Sequence, residues 1–144
     1  MKIAIMQPYI FPYIGYFQLI HAVDKFIFFD DVNFIKKGWI NRNQILVNNQ
    51  AYLFTIPLQQ ASQNILIKDT LISCNEKWVG KLINTIEHNY KKAPYYQSTL
   101  HLIQEILKNN FNSISDLSIY IIKKVSNYLE LHIEFDLSSK DYSE

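Results

Sequence analysis

The chain has 144 residues, of which 49% are hydrophobic and 19% are charged, and its formal net charge is +1. This length and composition predict a single domain over residues 1–144 with a substantial buried core. The near-neutral charge lacks the electrostatic footprint of a protein that binds nucleic acid or an anionic membrane.

The cysteine count and the length of the apolar runs exclude further classes of protein. The single cysteine, Cys74, excludes an internal disulfide bond and a multi-cysteine metal site, and the four histidines show no metal-ligand spacing. No apolar run approaches the roughly 20 residues that cross a bilayer. The first apolar run stops at Gln7 and is too short for a secretory signal. We therefore expect a cytoplasmic protein with no membrane insertion and no metal site.

The N-terminal residues carry the pattern of a βαβ unit. Ile3–Met6 and Lys25–Asp30 are short runs of β-type residues, as expected of strands. A loop with proline and glycine leads from the first run into apolar residues at near-helical spacing, Phe17, Leu19, Ile20 and Val23. Because a single crossover joins the two runs, we expect adjacent parallel strands in a small N-terminal Rossmann-like sheet, and hence an α/β fold.

A hairpin is predicted in the middle of the chain. Two short β-type runs, Gln44–Val47 and Ala51–Pro57, flank the pair Asn48-Asn49, which is a weak hairpin signal. The residues His132–Asp136 predict one more strand near the end of the chain.

The C-terminal half is predicted to be helical. Ser73 and Glu76 have the spacing of a capping box ahead of one helix. Pro94 separates that helix from the next, and Ser113 is placed to cap a third. Apolar residues recur on one face of each helical pattern, so each helix has a side that packs on a core.

The segment MQPYIFPYIGYF at residues 6–17 concentrates rigid and aromatic residues after the first predicted strand. Ligands of open α/β sheets bind at the carboxyl edge, which is where this segment begins. Two interpretations stay open, a tight turn with a small aromatic core and a ligand-binding loop. In the second, Gln7 reads polar groups of the ligand and Tyr16 forms a wall.

A pair of carboxylates, Asp30 and Asp31, closes the second predicted strand. Such a residue orients a hydroxyl or an amine, or acts as a general base. If the pleat of the strand persists, the two side chains point to opposite faces, so only one faces the ligand. We favour Asp31, because it begins the polar stretch.

The polar stretch continues to Asn43 with further candidate binding residues. Arg42 offers a planar fork and Lys36 a point charge for phosphate. Asn41 and Asn43 both donate and accept hydrogen bonds, and Trp39 stacks on a sugar or a base. The alternative is a solvated charged loop in which Trp39 plugs the core.

The two segments together resemble the N-terminal signature of the WbqC-like proteins, which are bacterial proteins often encoded among genes for surface polysaccharide assembly. The likeness is close from Gln7 to Ile45 and loose in the middle of the chain, and Asn33 stands where the family pattern has glutamine. Family members usually continue into a Gly- and Ser-containing C-terminal segment, which this chain is expected to lack because it stops near Ser138-Ser139. The positions that fit are Gln7, Pro8, Pro12, Gly15, Tyr16, Phe17, Asp24, Asp30, Asp31, Val32, Phe34, Lys36, Trp39, Asn41, Arg42 and Asn43.

The predicted βαβ unit is also similar, more distantly, to the nucleotidylyltransferase superfamily. In that superfamily a His-x-Gly-His motif opens the first helix and holds nucleotide phosphates. Here Tyr13-Ile14-Gly15-Tyr16 occupies the place. A neutral tyrosine gives weaker hydrogen bonds to phosphate than a protonated histidine, so we do not expect nucleotidyl transfer.

The resemblance implies a role in sugar modification. We expect a transferase that acts on a nucleotide-linked sugar or a similar phosphate-bearing intermediate in the synthesis of an O-antigen-like bacterial polysaccharide, with sugar, acyl or aminoacyl transfer as the reaction. The sequence leaves the cofactor unknown. The alternatives are a non-catalytic module that binds a nucleotide sugar and a scaffold in a glycan-assembly complex.

Overall fold

A computed structural model of the chain describes residues 1–74 and 77–140 and shows a mixed α/β fold. The strands and helices, in chain order, are β1 (Ile3–Met6), α1 (Ile14–His21), β2 (Lys25–Phe28), β3 (Arg42–Val47), β4 (Gln50–Thr55), α2 (Lys77–Tyr90), α3 (Tyr96–Leu107), α4 (Ile114–Tyr128) and β5 (Glu134–Leu137).

A parallel sheet of three strands forms one part of the fold, with β2 between β1 and β5. Lys25 of β2 is in register with Ile3 of β1 and with Glu134 of β5. The predicted parallel pairing of the first two strands is confirmed, and so is a final strand, which lies slightly later than expected. The sheet is therefore not purely N-terminal, because its third strand comes from the end of the chain.

The predicted hairpin is also confirmed. Strands β3 and β4 pair antiparallel as a separate two-stranded sheet. Asn48 and Asn49 join them with φ angles of 51° and 61°. Positive φ at both central residues is the geometry of a tight hairpin turn, and asparagine adopts it more readily than most residues.

Three helices follow, as predicted for the C-terminal half. Pro94 lies between α2 and α3, and the Ser113 hydroxyl caps α4 by accepting a hydrogen bond from the Asp116 backbone N–H at 3.0 Å. The predicted capping box includes Glu76, which lies outside the described residues. None of the helices in the described part of the chain has the length and apolar character to cross a bilayer.

Helix α4 connects the two clusters of buried apolar side chains. Its Leu117 and Ile121 pack with residues of the hairpin, α2 and α3, whereas its Ile122 packs with the sheet and α1. Phe26 and Phe28 of β2 are fully buried in the second cluster. One face of the sheet thus packs against α1 and α4. This packing holds the three strands in place, and with them the edge at which they end.

An ion pair between α3 and α4 predicts a pH dependence. The Lys124 ammonium lies 2.8 Å from the Glu105 carboxylate, and this hydrogen bond lowers the pKa of Glu105. A carboxyl whose pKa is lower in the folded state stabilises the fold above its unfolded pKa, and this contribution is lost as the pH falls through the folded pKa. We expect wild type to melt above Glu105→Gln at neutral pH, with a small difference because the pair is partly exposed.

That difference should close as the pH falls below the ordinary range of a glutamate carboxyl. Thermal denaturation of both proteins between pH 7 and pH 3 measures it. An offset that stays constant over this range would show that the ion pair is not its source.

Candidate functional site at the carboxyl edge of the sheet

The three parallel strands end at one edge. Main-chain hydrogen bonds continue just past the strand ends, from the Phe29 N–H to the Met6 carbonyl at 2.8 Å and from the Ser138 N–H to the Phe28 carbonyl at 2.9 Å. The residues that leave the sheet at this edge are Gln7 after β1, Asp30 and Asp31 after β2, and Ser138 and Ser139 after β5. The edge therefore collects polar side chains from three distant parts of the chain.

Asp30 is the buried carboxylate of this edge, with 4% of its surface exposed. Its Oδ1 accepts from the Ser139 N–H at 3.1 Å, and its Oδ2 accepts from the Ser139 hydroxyl at 2.8 Å. The Ser138 hydroxyl lies 3.2 Å from Oδ1 and accepts from the Asp30 N–H at 3.2 Å. Since a buried charge needs such partners, these bonds tie the end of β5 to the end of β2.

Asp31 is half-buried and meets the same serine. Its Oδ1 accepts a short hydrogen bond from the Ser138 hydroxyl. The prediction that the pleat sends Asp30 and Asp31 to opposite faces is wrong, because both carboxylates reach one hydroxyl. The regular strand ends at Phe28, so the alternation of side chains does not extend to the two aspartates.

Sequence reasoning did not select Ser138 or Ser139 as site residues. The available signal was their position, since they directly follow the predicted last strand. What the sequence did not reveal is that this strand lies parallel to β2, with Leu137 in register with Phe28.

Tyr16 is buried beneath the first loop, which is residues 7–13 between β1 and α1, rather than exposed on the surface of that loop. It is 2% exposed, and its ring centroid lies 5.3 Å from those of Tyr9 and Phe26. Burial raises the pKa of Tyr16, and its hydroxyl donates to the Gln7 carbonyl at 3.0 Å. The aromatic core proposed for this segment is thus present, and it holds the backbone of Gln7 at the edge.

Arg42 contacts the backbone of its own loop. Its Nε donates to the Gly38 carbonyl at 2.8 Å, and Nη2 makes a short hydrogen bond to the Lys37 carbonyl. Lys37 has a φ of 58°, in the left-handed region that most residues avoid. Arg42 therefore supports a strained turn, which is the structural role of an arginine pinned to backbone carbonyls.

Asn43 and Asn41 make similar contacts. The Asn43 amide donates to the carbonyls of Ile10 and Phe11, at 3.1 Å and 2.7 Å, and Phe11 has a φ of 44°. The Asn41 amide donates to the Ile56 carbonyl at 2.9 Å. Asn43 thus joins the hairpin to the loop between β1 and α1, whereas Asn41 joins the two ends of the hairpin. Asn43 also lines a cavity of about 270 Å³ with Phe11 and other side chains, most of them apolar.

Lys36 and Trp39 are exposed in the second loop, which is residues 29–41 between β2 and β3. Trp39 has 52% of its surface exposed, so the alternative in which it plugs the core is wrong. The structure thus brings Gln7, Asp30 and Asp31 to one edge and places Arg42, Asn41 and Asn43 at the start of the hairpin. The binding roles of all these residues stay predictions.

Removal of Arg42 should cost stability. We expect Arg42→Ala to lower the free energy of unfolding by about 1–2 kcal/mol, because two loop carbonyls lose a charged donor. Arg42→Lys should restore only part of this, since a point charge does not reproduce the fork. In a Lys37→Gly background the loss should shrink, because glycine adopts the positive φ without strain. Urea denaturation of wild type, the three single variants and the Lys37→Gly/Arg42→Ala double variant measures these effects, and an Arg42→Ala protein as stable as wild type would contradict the assignment.

The geometry defines an α/β protein whose parallel sheet carries a cluster of carboxylates and hydroxyls at its carboxyl edge. The carboxylates of this cluster are hydrogen-bond acceptors, a chemistry suited to a hydroxyl or an amine. Within residues 1–74 and 77–140, no group of three or more His, Cys, Asp or Glu side chains is arranged to hold a metal ion.

Comparison with known proteins identifies the family. The family model described as "WbqC-like protein family" matches residues 7–144, so the chain belongs to that family, as its N-terminal signature predicted. The chain is 31% identical over 130 residues to "Uncharacterized protein Rv1507c" of Mycobacterium tuberculosis, which covers 89% of this chain and 56% of the relative. The chain thus spans little more than half the length of that relative. No solved structure matches.

Proposed function

We propose that the carboxyl edge binds the sugar part of a nucleotide-linked sugar or a similar activated intermediate, and that the protein is a transferase in the synthesis of a bacterial surface polysaccharide. The observation that carries the proposal is Asp31, a half-buried carboxylate beside a buried one at the edge where α/β sheets bind ligands. Membership of the WbqC-like family supports the polysaccharide context through the resemblance described above.

In this proposal the residues of the edge and of the neighbouring loops have different roles. Asp31 orients a sugar hydroxyl or amine, or removes its proton during transfer of a sugar, acyl or aminoacyl group. Gln7 contacts polar groups of the ligand from the end of β1. Lys36 offers a charge for the phosphate, while Arg42 and Asn43 hold the loops that surround the ligand.

A thermal-shift screen tests the proposal. The probes are UDP-glucose, UDP-N-acetylglucosamine and dTDP-glucose, with free UDP and dTDP as matched controls. A ligand present at about 100 times its dissociation constant stabilises the fold by roughly 2.7 kcal/mol, which is a shift of roughly 5–10 °C for a chain of this size. We expect nucleotide sugars to give shifts that the free nucleotides do not.

Matched variants locate the binding. Asp31→Asn should reduce the shift, whereas Glu130→Gln, which changes an exposed carboxylate after α4, should leave it intact. If no nucleotide sugar shifts the melting temperature, or if Asp31→Asn binds as well as wild type, the proposal fails.

A binding module without catalysis is the second candidate. It is favoured by the contacts of Asp30 and Arg42, whose charged groups bind Ser139 and loop carbonyls within the chain rather than standing open for a reaction. Incubation of the bound nucleotide sugar with acyl and sugar acceptors, followed by mass spectrometry, separates the two. A thermal shift without any turnover favours the module.

A further inference from the structure

We propose that Ser138 is a positioning residue, whose hydroxyl holds Asp31 so that the second carboxylate oxygen faces the ligand and selects hydrogen-bond donors. The ligand part of this proposal rests on the proposed function, whereas the geometric part does not.

The Ser138 hydroxyl lies within hydrogen-bond distance of two carboxylates but has one proton to donate. Its hydroxyl oxygen contacts the Asp31 carboxylate and lies 3.2 Å from Asp30 Oδ1, and it accepts from the Asp30 N–H at 3.2 Å. A hydroxyl donates one hydrogen bond and accepts two. Its proton therefore goes to one of the two carboxylates at a time.

Asp30 does not need that proton. Both of its oxygens already accept from Ser139, at 3.1 Å from the backbone N–H and 2.8 Å from the hydroxyl. The proton of Ser138 accordingly belongs to Asp31, and the two serines have separate tasks. Ser139 donates hydrogen bonds to both oxygens of the buried carboxylate, and Ser138 fixes the half-buried one.

The Asp31 carboxylate keeps one oxygen, Oδ2, that can accept hydrogen bonds from a ligand. Within residues 1–74 and 77–140, no group donates to Asp31 Oδ2. An ionised carboxylate only accepts hydrogen bonds, and the proton of Ser138 is committed to it. The pair therefore offers acceptors to an incoming group, and it favours a hydroxyl or an ammonium over a phosphate or a carboxylate. A sugar that presents a hydroxyl or an amino group is the ligand class with this chemistry.

If Ser138 had a structural role alone, its hydroxyl would join β5 to β2 without positioning the Asp31 side chain. A measurement made without ligand separates these two roles. Three-bond NMR couplings from the Asp31 carboxyl carbon to the backbone report whether its χ1 angle is fixed. We expect one rotamer in wild type, in Ser139→Ala and in Ser138→Thr, which keeps the hydroxyl, and rotamer averaging in Ser138→Ala. Averaging in wild type, or a fixed rotamer in Ser138→Ala, overturns the proposal.

A double-mutant cycle with UDP-glucose as the probe tests the effect on binding. Ser138→Ala should weaken binding about tenfold in the wild-type background and less than about twofold in the Asp31→Asn background, because a residue that acts through another loses its effect when that other is gone. Equal losses in both backgrounds overturn the proposal. If UDP-glucose binds to none of these proteins, the proposed function fails for this sugar, and the rotamer measurement still decides the role of Ser138.

Deoxyfluoro analogues of UDP-glucose test the selection for donors. Fluorine replaces a hydroxyl with a group that cannot donate a hydrogen bond, so at least one position should lose about tenfold or more in affinity for wild type. The same analogue should lose much less with Asp31→Ala. Equal binding of all analogues to wild type contradicts a carboxylate that selects donors.

Discussion

Asp30→Ala should lower the free energy of unfolding by about 2–3 kcal/mol, although the residue carries a charge at the edge of a sheet. The carboxylate is 4% exposed and accepts from the backbone and the hydroxyl of Ser139. Without it, these donors stay in a partly buried site with no acceptor, and the side-chain hydrogen bonds that join Ser139 to the end of β2 are lost. For a chain of this size, the corresponding fall in melting temperature is roughly 4–12 °C.

Asp31→Ala is the matched control, because it removes a neighbouring half-buried carboxylate whose one side-chain hydrogen bond within residues 1–74 and 77–140 comes from the Ser138 hydroxyl. We expect a loss of less than about 1 kcal/mol. Calorimetry of both variants measures the contrast. Two equal losses would show that the aspartates share one structural role, and they would remove the reason for treating Asp31 as the residue that faces the ligand.

Phe26→Ala should have the larger effect, a loss of about 3–5 kcal/mol. The ring is fully buried in the central strand, and its centroid lies 5.4 Å from that of Phe28 and 6.2 Å from that of Phe135 on β5. Alanine leaves a cavity between the sheet and the helices that cover it. Since a domain of this kind is stable by only about 5–15 kcal/mol, Phe26→Leu is a milder variant that keeps the protein folded.

The control for this experiment is Phe29→Ala, which removes the same ring from a position that is 40% exposed. It should change the free energy of unfolding by less than about 1 kcal/mol. Urea denaturation gives both values, and the slope of the transition should not change. A loss at Phe26 no larger than that at Phe29 would contradict the placement of the core on the α1 and α4 side of the sheet.

The elements that the sequence determined are local ones. The β1–α1–β2 unit follows from two short apolar runs with a proline-bearing loop between them, because a crossover of this length leaves few alternatives to a parallel pair. The hairpin follows from Asn48-Asn49, and the cap of α4 follows from Ser113. Each depends on residues within a few positions, where the backbone geometry and the side-chain chemistry act on the same short segment.

The membership of the family was also determined by the sequence. The signature between Gln7 and Ile45 depends on residue identity and spacing, and the match over residues 7–144 bears it out. The same signature led to binding roles for Arg42 and Asn43, and it did not show their contacts. A guanidinium or an amide is equally suited to a ligand and to a backbone carbonyl, and the strained turns at Lys37 and Phe11 are visible only in the folded chain.

Only the tertiary structure decided what stands at the carboxyl edge. Ser138 and Ser139 are 107 to 109 positions from the aspartates they contact, and no local pattern links the two pairs. Their meeting depends on β5 joining the sheet beside β2, where Phe135 packs against Phe26 and Phe28 and Lys25 pairs with Glu134 and Asp136. Long-range strand pairing is selected by the burial of side chains from distant segments, so the chemistry of this edge is a property of the packed core rather than of any single stretch of the chain.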